Sequence, residues 1–405
     1  MMTRRHEAGF LTGISLLLPI TLTTMAIVLL APVIPSMMRE FAAVPNHEYW
    51  VPMVVTVPAL CVAVLCPFAG VLGDYFGRRK LLLASFVIYA LVGVAPVFLT
   101  DLRMILISRM GVGAAEALIY VLSTTMIGDY FKGETRDKWL AGQTAFASVS
   151  ALLFFNLGGV LGEAGWRTPF WIYLSALLMF ALVWRFTWEP SGDTHPDDEA
   201  AQPPRNLSWA GFPWARMAVI VLVTIYGSVF FYTVQIQAAS GLSELGMTSP
   251  ARIGFLTSVA SIGVPLGTFI YSRISRIGVG RLLLLVFALL AIGFMVMGQA
   301  ASVRMFLIGC FINQLGAGML LPTLIVWAMS ILPFEVRSRG TGFWQSAFAL
   351  GQWLSPLVVT FLALQRGGLM QSFQALSMLA AIGFALAILA PRLARAAPAM
   401  EARHG

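Results

Sequence analysis

The chain has 405 residues, 59% hydrophobic and 11% charged, under half of the roughly 25% charge usual in soluble proteins. This excludes a soluble globular domain and points to an integral membrane protein. Lys and Arg exceed the acids by 26 to 18, but they lie in twos and threes between apolar runs, so they read as loop charge and not as a nucleic-acid surface.

After Arg4 and Arg5, an apolar run extends from Leu11 to about Pro35. It is too long for a signal-peptide core and lacks a clear small-residue cleavage site, so it is expected to be a retained first helix. Apolar runs long enough to span a bilayer follow near 50–72, 81–99, 103–128, 139–161 and 168–187. From 188 to 214, Pro190, Pro196, Pro203, Pro204 and Pro213 interleave with Glu189, Asp193, Asp197, Asp198 and Glu199, the composition of a mobile linker. Six more runs lie near 215–240, 250–272, 281–299, 303–330, 340–363 and 372–390. The expected architecture is all-α: twelve transmembrane helices in two pseudo-symmetric six-helix bundles, 1–187 and 215–405, joined by the linker.

Cations set the orientation, because cytoplasmic loops hold the excess of Lys and Arg. With the N-terminus inside, nineteen fall on the inner side. The outer loops hold one each, at Arg39, Arg103, Arg167, Arg252, Arg304 and Arg366, and Arg109 lies within the fourth helix. Both termini are therefore expected in the cytoplasm and the protein in the cell membrane, the inner one if the source is Gram-negative.

The halves repeat. Arg103-Met104 recurs as Arg304-Met305 and Glu134-x-Arg136 as Glu335-x-Arg337, each displaced by 201 residues, while Gln143 and Phe146 recur as Gln345 and Phe348 at 202. A weaker echo of the loop after the second helix runs from Gly267 to Arg281, without an acid. A constant offset across four helices points to internal duplication, a common way of building transporters around a central pathway.

Cys61, Cys66 and Cys310 sit inside apolar runs and read as packing residues. His6, His47, His195 and His404 fall in loops or termini, which removes imidazole from any proton relay at membrane depth. No acid, His or Cys cluster has metal-ligand spacing and no serine has a base near it at that depth, so neither an enzyme, a metal nor a cofactor is expected.

The stretch Gly70-Val-Leu-Gly-Asp-Tyr-Phe-Gly-Arg-Arg-Lys80 separates the second and third runs. With Gly70, Leu72, Asp74, Gly77, Arg78 and Arg79 in place it resembles the motif G-x-L-x-D-x-x-G-R-R/K of the major facilitator superfamily, departing at Tyr75, where a cation is frequent. In that family the motif aspartate meets the start of helix 11 and the arginine meets the acid ending helix 4. The resemblance implies that Asp74, Arg78 and Asp129 latch the two halves on the inside when the site faces outward. Arg109-x-x-x-Gly113-x-x-Glu116 resembles the family's helix 4 motif, in the form found in organic-anion symporters and their relatives, where the arginine is associated with substrate charge or proton coupling. The fifth helix keeps Gly158-Gly159 of the drug-antiporter motif but has Phe154-Phe155 where its Gly-Pro would stand, and Gly165 to Phe170 still looks like the drug and sugar exporters. The first helix lacks the acid that many multidrug antiporters carry, which does not support polyspecific cation export.

An ionisable side chain at membrane depth costs roughly 2.5 to 3.5 kcal/mol on insertion scales. Two are present, Arg109 and Glu116, and they share a helix face with Gly113 and Tyr120. They lie about 10 Å apart along the axis by helical rise, too far for easy direct pairing, although pairing through water would make them a simple lock between helices. Glu116 is the candidate coupling carboxylate, with Arg109 beside it. Candidate substrate contacts are Arg109, Tyr120, Gln143, Tyr226, Asn313 and Gln345, with Thr341, Phe348 and Gln352 on the face of Gln345, Ser150 with Gln143, Thr233 and Gln237 with Tyr226, and Gln314 beside Asn313. For each alone, an interhelical hydrogen bond is the simpler role. As a set they suit a modest, partly apolar organic solute. The expected function is proton-coupled transport of such a solute by a monomer in the bilayer, with efflux of a drug- or sugar-like compound ahead of organic-anion uptake. A receptor on the same scaffold is the remote alternative, since one would be expected to add a signalling domain.

Overall fold

The computed structural model describes residues 8–189, 212–332 and 337–396. Among them, twelve helices are long and apolar enough to cross a membrane, and there are no strands. They are α1 (Phe10–Glu40), α2 (His47–Phe76), α3 (Arg78–Val97), α4 (Leu102–Tyr130), α5 (Gly133–Gly162), α6 (Thr168–Phe186), α7 (Trp214–Glu244), α8 (Pro250–Ile277), α9 (Val279–Gly298), α10 (Val303–Ile331), α11 (Gly340–Arg366) and α12 (Leu369–Ile388). The expected linker falls largely on 190–211, and Glu335 on 333–336, both outside the described residues.

An even number of spans returns the chain to its starting face. We call that the terminal face, and the one with the α1–α2, α5–α6 and α7–α8 turns the distal face. Helices α1 to α6 form one bundle and α7 to α12 the other, an all-α membrane fold of two six-helix bundles. Between them, α2 packs on α11 and α5 on α8.

The repeat is visible in local geometry. Helices α4 and α10 each begin at a polar N-cap: Asp101 accepts from the Arg103 N–H at 2.9 Å and Ser302 from the Met305 N–H at 3.3 Å. The turns before α3 and α9 both pivot on a glycine with φ of +90°, Gly77 and Gly278, which lie 201 residues apart. Only glycine adopts that conformation without strain.

Proline shapes the helices that matter most. Pro19 and Pro32 break α1 into pieces, with Ile20–Val28 followed by a tight turn at Ala31–Val33. The α8 helix is interrupted between Ser261 and Gly263, just before Pro265. Backbone irregularity at membrane depth is tolerated where protein or a cavity satisfies the freed groups.

Candidate functional site

A cavity of about 250 Å³ lies between the bundles. The interrupted stretches of α1 and α8 supply Thr23, Thr24 and Ser261 to its wall. Helix α4 supplies Glu116 and Tyr120, and α11 supplies Gln345, Phe348 and Gln352. Helix α7 adds Phe231, Tyr232 and Gln235. Phe231, Tyr232 and Phe348 form one aromatic wall, with ring centroids 4.9, 5.5 and 5.4 Å apart. Aliphatic side chains such as Ile27, Val62, Leu152 and Leu321 share the wall with these hydroxyls, amides and rings around one carboxylate, and no Lys or Arg lines the cavity among the described residues.

Glu116 is 8% exposed and its Oε2 accepts no protein hydrogen bond. Burying an ionised carboxylate without a donor is costly. Its charge state is therefore tied to whatever else occupies the cavity.

The remaining predicted contacts sit elsewhere, and each has a physical reason. Arg109 is fully buried inside the first bundle, does not pair with Glu116, and leaves Nη1 without a partner. Its Nε donates to the Val54 carbonyl at 3.0 Å and Nη2 to the Ala26 carbonyl at 3.3 Å. The Val54 carbonyl is orphaned because Pro58, four residues on, has no N–H, and Ala26 lies in the last turn of the segment ending at Val28. The guanidinium also stacks 4.8 Å from the Tyr173 ring centroid. Arg109 thus staples α1, α2, α4 and α6 instead of facing the cavity. Close approach of α4 to α2 is permitted by Gly113, where a Cβ would meet the Pro58 carbonyl oxygen at 2.4 Å.

Gln143 is buried outside the cavity wall, donating to the Leu16 carbonyl and accepting from Thr124, both at 3.4 Å. Tyr226 donates to the Leu379 carbonyl and packs on Phe230. Asn313 backs onto Gly293 of α9, where a Cβ would meet its backbone N at 2.6 Å. These three tie helices within a bundle. Tyr232 and Gln235 were not among the predicted contacts. They lie on the side of α7 opposite that of Tyr226, Thr233 and Gln237, and only the packing of the two bundles selects between the faces.

At the terminal face the motif residues converge. Gly77 turns the chain so that Arg78 donates Nη1 to both Asp129 oxygens at 2.6 Å, and Nη2 to Asp74 Oδ1 at 2.8 Å. Gly70 and Gly73 precede this turn, and a Cβ on Gly73 would strike Leu122 of α4 at 2.4 Å. Arg79 donates to the Trp184 carbonyl at 2.8 Å. Glu189, which composition assigns to the linker, accepts from the backbone N–H groups of Arg79 and Lys80 at 3.1 and 3.3 Å. It caps the N-terminus of α3, whose first turn has no acid of its own.

On the distal side three sets of hydrogen bonds join the bundles. Asn156 donates to Ser258 Oγ at 2.8 Å, Glu163 accepts from Ser249 and from the Ala251 N–H, and Thr360 donates to the Glu48 carbonyl at 3.2 Å. The structure is closed on the distal face, with the cavity beneath that closure.

Two six-helix bundles around a largely apolar cavity that carries one carboxylate define a membrane transporter. The Major Facilitator Superfamily model matches residues 16–273 and 242–404, and the chain belongs to that family. Among curated relatives, the 3-(3-hydroxy-phenyl)propionate transporter of Escherichia coli K12 is 23% identical over 82% of this chain and 83% of its own. The class B tetracycline resistance protein of Escherichia coli is 27% identical, but the match spans only 44% of either chain. Among solved structures, a bacterial homolog of the human lysosomal transporter Spinster, inward-facing and unoccupied, superposes with a TM-score of 0.78 at 17% identity, covering 96% of this chain and 98% of that one. A D-xylose-proton symporter gives 0.76 at 15% identity, covering 94% and 96%.

Proposed function

We propose that the protein moves a small organic solute across the cell membrane by alternating access, driven by a proton gradient, with Glu116 as the proton-carrying group and efflux as the direction. The observation that carries this reading is the cavity itself: one carboxylate, its Oε2 without a hydrogen bond among the described residues, in a largely apolar wall that also offers amides, hydroxyls and rings. A wall that offers an acid and no described cation favours a neutral or weakly basic drug- or sugar-like compound over an organic anion. Organic-anion uptake stays as the second reading, supported by the near full-length match to a hydroxyphenylpropionate transporter.

In this reading residues 1–187 and 215–405 are the two moving bundles, 188–214 is the cytoplasmic linker, and the working unit is a monomer. The terminal face is cytoplasmic, consistent with the loop cations. The cluster of Asp74, Arg78 and Asp129 is part of the cytoplasmic gate, and Arg109 acts by shaping the first bundle.

The test is flux in proteoliposomes with an imposed pH gradient, across organic acids, sugars and weakly basic drugs. Glu116→Gln should abolish gradient-driven accumulation while substrate exchange without a gradient continues. Full gradient-driven flux in that variant would overturn the assignment of Glu116, and flux confined to organic acids would favour the second reading.

A further inference from the structure

On the distal side α5 and α8 cross at paired glycines. A Cβ on Gly254 would meet the Phe155 carbonyl oxygen at 2.3 Å, and one on Gly159 would meet that of Pro250 at 2.5 Å. The crossing is pinned at both ends. Toward the cavity, Asn156 bonds Ser258, and at the surface Glu163 Oε1 accepts from the Ser249 hydroxyl and, at 3.0 Å, from the Ala251 N–H. Ser249 is the N-cap of α8. The carboxylate of one bundle therefore sits on the positive end of a helix of the other.

We propose that Glu163 is the proton-sensitive pin of the distal gate: ionised, it holds α5 to the start of α8, and protonation from the distal side releases it. The inference rests on the alternating-access reading above. The charges facing this corner are few. Arg252 of α8 lies beside the carboxylate. Of the neighbours at the distal ends of α1, α2 and α6, Arg167 pairs with Glu40 at 3.5 Å, Arg39 donates to Ser36 at 3.0 Å, and His47 lies 3.6 Å from Glu48.

The Ser249 hydroxyl and the Ala251 N–H, with Arg252 adding to them, hold the Glu163 carboxyl below the usual carboxylate range. Separating the helices removes those donors and restores the ordinary value. The closed state thus binds its proton less readily than the open one. Its advantage is complete above the ordinary glutamate pKa and is lost as pH falls through and below it. Acid on the distal side favours opening.

The experiment measures gate opening independently of flux. Spin labels are placed in the full chain, in nanodiscs, at exposed distal residues of each bundle, Ala43→Cys and Ala301→Cys, with Cys61, Cys66 and Cys310 replaced by Ala. Wild-type Glu163 should show a longer inter-bundle distance that holds steady from pH 7 to pH 5 and gains population as pH falls from 5 toward 3. Glu163→Ala should raise that population at pH 7 by roughly two- to fivefold, the scale of an exposed charge contact, and should flatten the pH response. Glu163→Gln, which keeps an acceptor but no charge, should also be flat. Distances that match wild type across this pH range in Glu163→Ala, or an acid response that persists in it, would overturn the proposal while leaving proton-driven flux through Glu116 untouched.

Discussion

Arg109→Lys separates a staple from a substrate contact. In the structure the guanidinium reaches two carbonyls on different helices and stacks on Tyr173. A lysine ammonium at the same position has a single centre and cannot fork to both. The variant loses at least one charge-assisted hydrogen bond, worth about 1.5 to 3 kcal/mol. It also loses most of a buried cation–π contact, worth about 0.5 to 2 kcal/mol. The sum, about 2 to 5 kcal/mol, corresponds to a fall in melting temperature of about 5 to 15 °C for a bundle of this size. The assay is thermal unfolding in detergent beside initial-rate transport. A staple predicts the lowered melting temperature and a reduced maximal rate with KM little changed. Wild-type melting together with a raised KM would refute the reasoning and return Arg109 to the substrate.

Asp74→Asn should cripple transport while membrane insertion, read by surface labelling of the distal loops, stays normal. Failure of insertion would instead make the motif a topological signal. Arg78→Ala leaves Asp129 and Asp74 without the guanidinium between them, so it should slow transport strongly, and adding Asp129→Ala should cost less than its single effect in a double-mutant cycle; full additivity would argue against the contact. Gly254→Ala sets a Cβ 2.3 Å from the Phe155 oxygen, so the bundles must part by about 1 Å where packing is close. The expected result is slow turnover with distal cysteines that label faster, and an unchanged rate would show that the glycine crossing is not needed for closure.

Much of the fold was legible because bilayer thickness fixes helix length, and no soluble sequence writes twelve such runs. The terminal-face cluster was legible too, since Asp74 and Arg78 are four apart on a motif with a known partner in Asp129. What the sequence could not resolve was depth along a helix and rotation about it. Arg109 and Glu116 share a face by periodicity, yet one caps carbonyls inside a bundle and the other meets the cavity, because Pro58 frees a carbonyl beside the first and α7 stands opposite the second. Tyr232 and Gln235 were hidden by rotation, since α7 carries polar and aromatic residues on opposite faces. Glu189 was hidden by composition, standing next to Pro190 at the start of an acidic, proline-rich stretch.

The two faces differ in what their polar contacts join: on the terminal face the cluster of Asp74, Arg78 and Asp129 ties α2, α3 and α4 within one bundle, whereas the distal contacts join the two bundles. On the terminal face, Arg78 is held by two carboxylates, an arrangement that keeps its charge at any working pH. On the distal face, a single exposed carboxylate rests on a hydroxyl and a helix end, and α5 and α8 otherwise meet through glycines and an amide. Between them Glu116 Oε2 accepts no hydrogen bond among the described residues, and in the proposed mechanism its charge is met by a proton or by the solute. In that mechanism a proton arriving from the distal side would meet first the Glu163 pin and then Glu116, so the same gradient would bias both steps in one direction.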